Sequence, residues 1–591
     1  MNLKIIGSAI AVVILLIASL VALVFVGILP NPLIGLLLDP PEHSARYYPR
    51  DTIAYGWLTL YPEDGQLDQM VDLFERFDEL PEMQDRLDDL QDDVEDESGF
   101  EFEEELEKWI GADISVGLLE ENNDPVGVMT VSVRDFGNAL VFMEDWTDHL
   151  EDEEGFRFDL DNAGGAWIWT DENRDLSFAL TEEVLLVVVA DDPEDPQEDM
   201  LDLVMGGSDR SLAETEEFKA ARQEFSNRRF TSAFVDIEEL LDLLEDSDLV
   251  SEEVYDFAAV SDSADLPRWA ALSAQWIDRG LVLEAILPNT EDFGDDLQVL
   301  DGPAELVPVE TVAILATTFD PDLNNWREQL EEYDTDGGSY FVNDIYDELY
   351  WEVDQHRTDP LRRKANPDMA DVLDLLLELV EAYTDVDLER DFMEYLDGKF
   401  LMSVEEFDAA SIEEDPLEET VNAVAMLSYL PEAEAQLGET LEDFSDFLED
   451  EAPIDVDSED VGADNDAEIF RADLFGIETD YAPGYVLNDG YLVFGTTEDA
   501  LENAVAAQAG YEENLASLDE YQRAVGALPG DSQLLVWLDL QRIVAELDAE
   551  DMDMTDDDFE ALEESLGSLA IVSSVNEELI RVGLAITFFP E

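Results

Sequence analysis

Any chemistry in this chain has to be sought among carboxylates. Asp and Glu supply 151 of its 591 residues, Lys and Arg only 27, and there are three His and no Cys. Without Cys there is no disulfide, thiolate nucleophile, thiolate-bound metal or lipidated cysteine. His43, His149 and His356 are far apart in sequence, which argues against a His-based triad or a multi-His metal site. His149 reads as a helix-surface residue. No G-x-G-x-x-G, P-loop, G-x-S-x-G or H-E-x-x-H run occurs. Paired carboxylates can hydrolyse glycosides, but among so many acids only a pair buried beside a Trp would carry information, because desolvation raises a carboxyl pKa. Trp167 and Trp169 alternate after Gly164-Gly165, as a sugar platform or, the reading favoured here, a core-facing strand pair. Asp236 and Asp539 stand at matching places in apolar strands. Alternation turns them to solvent; the alternative is a buried acid paired with Arg279 or Arg581.

Two acid runs come nearest to a calcium loop, which alternates carboxylates, needs Gly at its sixth position and closes with Glu. Asp551, Asp553, Thr555 and Asp557 are followed by Leu562 where Glu belongs, with Asp556 at the Gly position. Asp455, Asp457 and Glu459 run into Asp460 and Val461. Neither fits. No catalytic, cofactor-binding or metal-ligating residue is therefore assigned, and no cofactor is expected. The most unusual local composition is a basic–aromatic stretch with Tyr340, Tyr346, Trp351, His356, Arg357, Arg362, Arg363 and Lys364. It reads first as a helical excursion neutralising nearby acids and second as a partner-docking patch.

The formal net charge is −124. Such a surface excludes electrostatic binding of nucleic acid or anionic lipid, since phosphate contacts need Lys and Arg. Only five residues are Lys, and the acids spread over the whole chain, including faces such as Asp85–Glu97 and Asp556–Glu564. That distribution points to a halophilic surface with loosely condensed cations. At about 1 M salt the screening length falls to about 3 Å. Hydrophobic residues at 46% still allow real cores.

Residues Ile5–Leu29 run without a charge, long enough for a helix to cross a hydrocarbon layer of about 30 Å. Pro30 and Pro32 end the run, which exceeds the h-region of a cleaved signal. The expectation is a single-pass anchor with the N-terminus inside and the bulk of the chain outside the cell membrane.

The remainder repeats itself. Expected strands at 51–60 and 310–319 each precede an acidic helix, at 67–77 and 323–333. Trp109-Ile-Gly111 and Tyr395-Leu-Asp-Gly398 each read as a helix stopped by Gly and continued as a strand. Further expected strands and helices follow in the same order. Among them are the hairpins 176–190 and 484–495 and the matches Ser211-Leu212…Phe218 with Ser517-Leu518…Tyr521. This order predicts an α+β protein of two duplicated lobes, with mainly antiparallel sheets and helices on one face. The expected layout is an anchor at 5–29, a juxtamembrane segment at 30–50, repeats at 51–288 and 310–590, and a linker at 289–309. The second repeat carries extra residues at 334–368 and at 452–480, the latter read as a polar acidic loop.

Pro49-Arg50-Asp51-Thr52, Trp109-Ile-Gly111 and the strands bearing Asp236 and Asp539, in this order behind an apolar N-terminus, resemble the family called domain of unknown function 3352, which is mainly bacterial. The likeness covers most of the chain and departs from the pattern at Glu310 and at Asp397. It implies a membrane-tethered exported protein without catalytic residues to carry over. The resulting expectation is a non-catalytic binding or scaffolding ectodomain with an envelope protein or surface ligand as partner. A carrier of a hydrophobic ligand or an assembly factor is the alternative, and a carboxylate-dependent hydrolase is third.

Overall fold

A computed structural model describes residues 44–59, 108–121, 124–151, 155–171, 176–190, 193–206, 210–225, 229–246, 267–289, 299–300, 302–323, 327, 350, 369–384, 386–406, 421–451, 454–462, 465–472, 482–511, 513–530, 532–545, 559, 565–576 and 578–588. The apolar run 5–29, the expected helices at 67–77 and 85–97, and the acids 551–557 lie outside them. So do the patch residues Tyr340, Tyr346, Trp351, His356, Arg357, Arg362, Arg363 and Lys364. Among the described residues no helix is long and apolar enough to cross a membrane. The protein is α+β with antiparallel strand pairing, and the chain divides into two compact units: residues 1–293 with 575–591, and residues 294–574.

The first unit contains β1 (Ala54–Thr59), β2 (Ile110–Glu121), β3 (Asp124–Val133), α1 (Phe136–His149), β4 (Phe158–Ala163), β5 (Ala166–Asp171), β6 (Leu176–Leu180), β7 (Val184–Val189), α2 (Glu194–Val204), α3 (Glu216–Glu224), β8 (Thr231–Asp236), α4 (Ile237–Asp246), β9 (Trp269–Ile277) and β10 (Gly280–Pro288). Within it β1 lies between β2 and β8; outward from β2 follow β3, β7, β6, β5 and β4, and outward from β8 follow β9 and β10.

The second unit contains β11 (Ala313–Thr318), α5 (Met369–Thr384), α6 (Leu388–Asp391), β12 (Leu396–Glu406), β13 (Asn422–Tyr429), α7 (Glu434–Glu451), β14 (Ile454–Asp460), β15 (Asp466–Ala472), β16 (Gly484–Asn488), β17 (Tyr491–Gly495), α8 (Glu498–Gln508), α9 (Asp519–Val525), β18 (Leu534–Asp539), α10 (Leu540–Ala545) and β19 (Leu566–Val575). Here β11 lies between β12 and β18, with β13, β17, β16, β15 and β14 beyond β12 and β19 beyond β18. The last strand, β20 (Leu579–Phe588), pairs with β10 and belongs to the first unit, so the expected repeat 310–590 does not form one compact unit.

Four sequence expectations change. First, in the first unit helices cover both faces of the sheet. Trp57 and Leu58 are consecutive in β1 and so point oppositely. Trp57 joins a cluster with Met200 of α2 and Phe218 of α3, whereas Leu58 packs in a cluster with Ala139 and Met143 of α1. Strands buried on both sides read as continuous apolar runs, such as Val-Leu-Leu-Val-Val-Val in β7. Second, the span expected as an acidic loop contains a hairpin, in which β14 pairs with β15.

Third, the stretch 289–309 is not merely a linker. Ala304 and Val307 are buried, and Pro303–Glu305 forms a 3-10 turn like that of Ser44–Tyr47. The turn after it has a counterpart in the second unit. Thr52 N donates to Pro49 O at 3.3 Å, and Thr311 N to Pro308 O at 3.2 Å. Pro308-Val309-Glu310-Thr311 thus takes the turn of Pro49-Arg50-Asp51-Thr52, with Val in place of Arg and Glu in place of Asp. Fourth, the partner of Leu212 is Leu515 rather than Leu518. Leu212 N donates to Tyr48 O at 2.8 Å, and Leu515 N to Val307 O at 3.0 Å.

Gly111 and Gly398 lie inside β2 and β12 rather than just past a helix. Gly398 has φ +80°, and a Cβ there would meet Phe319 O at 2.4 Å. Gly111 is required by closeness instead, because a Cβ would fall 2.5 Å from Ser132 Oγ. Gly398→Ala is expected to cost about 1–3 kcal/mol through backbone strain, with the ladder of β12 displaced as well. Equilibrium denaturation in molar salt measures it, and an unchanged midpoint contradicts the assignment.

Candidate functional site

The Trp pair is core. Trp169 is buried, and Trp167 packs into the same cluster beside Phe178 and Met143. Trp109 and Tyr395 likewise seat the chain entering β2 and β12. Trp109 O accepts from Arg134 N at 2.7 Å, and Tyr395 O accepts from Leu430 N at 2.8 Å. Asp51 is exposed, while Thr52 is buried and its hydroxyl donates to Pro49 O at 2.7 Å. His149 ends α1, half-buried. Asp457 and Glu459 sit on the extended β14, with Arg471 Nε 3.3 Å from Asp457 Oδ2 and Arg471 Nη2 3.6 Å from Glu459 Oε1. A straight strand cannot wrap a cation, and among the described residues no cluster could hold a metal.

Asp236 and Asp539 are neither plain surface acids nor partners of Arg279 and Arg581. Each ends its strand and caps the helix that follows. Asp236 Oδ1 accepts from Glu239 N at 3.3 Å, and Asp539 Oδ1 accepts from Arg542 N at 3.1 Å. Their backbone N–H groups bind Ile53 O and Val312 O, both at 2.8 Å. Their cations are Arg268, with Nε 4.0 Å from Asp236 Oδ2, and Arg542, with Nε 3.3 Å from Asp539 Oδ2. Arg279 instead holds the β9–β10 turn at φ 61°.

A buried acid that the sequence reading missed lies beside Asp539. The register Ala313↔Val404 and Ala313↔Leu538 puts Glu405 and Asp539 on either side of Val312. All three share the face that carries Ile314, Ser403 and Trp537. At two strand spacings the acids stand about 10 Å apart in backbone position. Both are buried, and so is Trp537, whose ring meets Tyr521 edge-on at 5.8 Å. In the first unit the corresponding flank of Ile53 carries Leu119 opposite Asp236, so the acid pair belongs to the second unit alone. Alternation held the signal: Leu401, Ser403 and Glu405 form one inward-facing series in β12.

Burial raises the Asp539 carboxyl, against the opposing pull of the Arg542 backbone N–H and guanidinium. Burial likewise pushes the Tyr521 phenol up to about 12. Glu405 Oε2 accepts from Asn503 Nδ2 of α8 at 2.9 Å. Each acid therefore fastens a helix to the sheet, α8 through Glu405 and α10 through Asp539. On each of the two acids one oxygen is thus occupied by an N–H donor. A third buried acid, Asp171 on β5, accepts from Arg157 N at 3.0 Å.

Asp539→Ala should cost about 1–2 kcal/mol through the lost cap, and Asp539→Asn distinctly less, since the amide oxygen can still accept from Arg542 N. The folded-state pKa lies above the unfolded one, so the proton-linked part of the stability from Asp539 is complete below the ordinary Asp range. It is lost as pH rises through the raised folded value. Difference stability curves of wild type and Asp539→Asn against pH measure this; parallel curves contradict it.

Comparison with known proteins places the chain more firmly than its site does. No curated protein matches it. Among solved structures, two crystal forms of TP0453, III and I, are similar at 8% identity and a TM-score of 0.23. They cover 46% and 43% of this chain and 85% and 80% of TP0453. A score this low carries no argument about fold or function. The family model described as protein of unknown function DUF3352 matches residues 6–586. With nearly the whole sequence matched, the chain belongs to the DUF3352 family.

Proposed function

We propose that the protein is a non-catalytic binding or scaffolding ectodomain, built of two duplicated α+β lobes and held at the cell membrane by residues 5–29. The observation that carries the non-catalytic reading is the state of the buried carboxylates. Asp171, Glu405 and Asp539 each accept from an N–H donor that fixes a strand or helix. Duplication is supported by the recurrence of one pairing order about β1 and β11, by the two Pro-x-Asp/Glu-Thr turns, and by the matched caps at Asp236 and Asp539. Anchoring is supported by the uncharged run and by a family match that begins inside it, at residue 6.

The partner surface in this reading is the basic–aromatic stretch at 340–364, where cations are dense in an otherwise anionic chain. A hydrophobic ligand is the second reading. It draws on the other face of the second unit's sheet, where Leu315, Met402, Val536 and Ile571 form one row and Met402 is 41% exposed.

Fractionation and surface proteolysis of intact native cells in molar salt test the placement. Recovery with membranes and cleavage by external protease are expected; a soluble or protected protein rejects it. Replacing Arg357, Arg362, Arg363 and Lys364 together by Ala is expected to abolish recovery of a partner from native envelope while leaving the folded protein compact. Lowering salt from about 1 M to about 0.1 M lengthens screening from about 3 to about 10 Å. The radius of gyration should then rise, and a constant radius contradicts a salt-dependent surface.

A further inference from the structure

The first unit is completed by the end of the chain. Its β10 pairs on one side with β9, the preceding strand, and on the other with β20, nearly 300 residues later in sequence. The β10–β20 register runs unbroken from Gly280↔Thr587 to Pro288↔Leu579. Hydrogen bonds lock both ends. Phe588 N donates to Arg279 O at 2.7 Å, and Asn289 N donates to Glu578 O at 2.9 Å. Alternation therefore turns the backbone N–H groups of even-numbered residues in β20, including Val582, toward β10.

A second contact acts away from the ladder. Arg581 Nη1 lies 3.0 Å from Glu224 Oε2, and its Nη2 donates to Glu224 O at 2.7 Å. That carbonyl belongs to the last turn of α3, where the helix leaves acceptors open and favours a cation. One guanidinium thus joins the final strand to a helix of the first unit. Ala585 and Thr587 of the same strand are fully buried.

Without β20, β10 would be an open edge. Its sequence, Gly-Leu-Val-Leu-Glu-Ala-Ile-Leu-Pro, carries a single charge, Glu284. Long apolar edges recruit other strands, and proteins normally cover or charge them. We infer that β20 is an intramolecular donor strand: the first unit stays open along β10 until the C-terminus arrives, and that edge selects the segment 578–588. Stability of residues 267–289 then depends on residues near 580, far along the chain.

The test uses the full chain in molar salt and backbone hydrogen exchange resolved by segment. Val582→Pro removes a ladder donor and kinks the strand. Arg581→Ala keeps every ladder bond and removes only the fork on α3. Val582→Pro is expected to accelerate exchange in β9 and β10 by roughly tenfold or more while β11 and β12 keep their protection. Arg581→Ala is expected to accelerate exchange in the last turn of α3 and in β10, to a smaller extent. Adding a synthetic peptide of residues 578–588 to the Val582→Pro chain is expected to restore protection in β10. Unchanged exchange in β9 and β10 overturns the inference. So does an equal loss across β11 and β12 in both variants, and so does a peptide that restores nothing.

Discussion

Each unit depends on a strand that cannot be satisfied locally. β1 has its two backbone edges filled by β2 and by β8, and Thr231 of β8, 174 residues further along, donates its hydroxyl to Trp57 O. β11 stands in the same position between β12 and β18. A central strand left half-paired would bury unsatisfied N–H and C=O groups, which is costly away from water. Closing so long a loop adds little extra entropy cost, because that cost grows only with the logarithm of length. What holds the closure is the core on both faces. Tyr55 and Trp57 are buried against α2 and α3, with Tyr48 edge-on to Tyr55 at 5.0 Å and Phe218 at 5.7 Å. The caps at Asp236 and Asp539 follow from this arrangement: each acid ends the returning strand and begins the helix that leaves it.

Charge imposes the second constraint, and the described arginines show how it is met. Arg471 reaches Asp457, Glu459 and Glu498, the last at 3.0 Å. Arg268 lies within 4.0 Å of Glu217, Asp236 and Glu238. Arg327 binds Asp374 at 2.7 Å and Glu389 at 2.9 Å, tying α5 to α6. An exposed pair of opposite charges is worth little by itself. Here each cation also stands between carboxylates that would otherwise repel one another, so its removal costs repulsion as well as attraction. With 27 basic residues against 151 acids, such clamps reach only part of the surface. In the proposed salt-adapted surface the remainder is left to ions from solution.

The sequence made hairpins and strand order legible where turn chemistry was strong. Asn488-Asp489-Gly490 predicts the β16–β17 turn, and Asp489 and Gly490 take φ 45° and 85°. It misled where composition hid periodicity. Asp455-Val456-Asp457 alternates as a strand should, yet its acids made 452–480 read as a loop. Ser517-Leu518 resembled Ser211-Leu212 by identity, but the six-residue spacing from Leu212 to Phe218 is repeated from Leu515 to Tyr521. Helices on both faces could not be inferred from strand order, because the sequence does not say which face of a sheet a following helix crosses. The buried pair in the second unit was invisible for a different reason. Among so many carboxylates, only register singles out Glu405, by setting it inward opposite Val312.

That acid also bears on how the two units differ. Leu119 and Glu405 occupy corresponding places beside the central strand, and both are buried. Burying a carboxylate where an aliphatic side chain suffices is unfavourable unless a donor meets it. Asn503 meets Glu405, and its donor would lose that acceptor if Leu stood there. The acid and its amide are therefore a matched exchange for an apolar contact, coupling α8 to β12 by direction rather than by area. Strand order and the Asp caps at 236 and 539 are common to both units, and the Glu405–Asn503 bond is not. The proposed duplication thus left the backbone plan intact and changed some of the side chains that lock it.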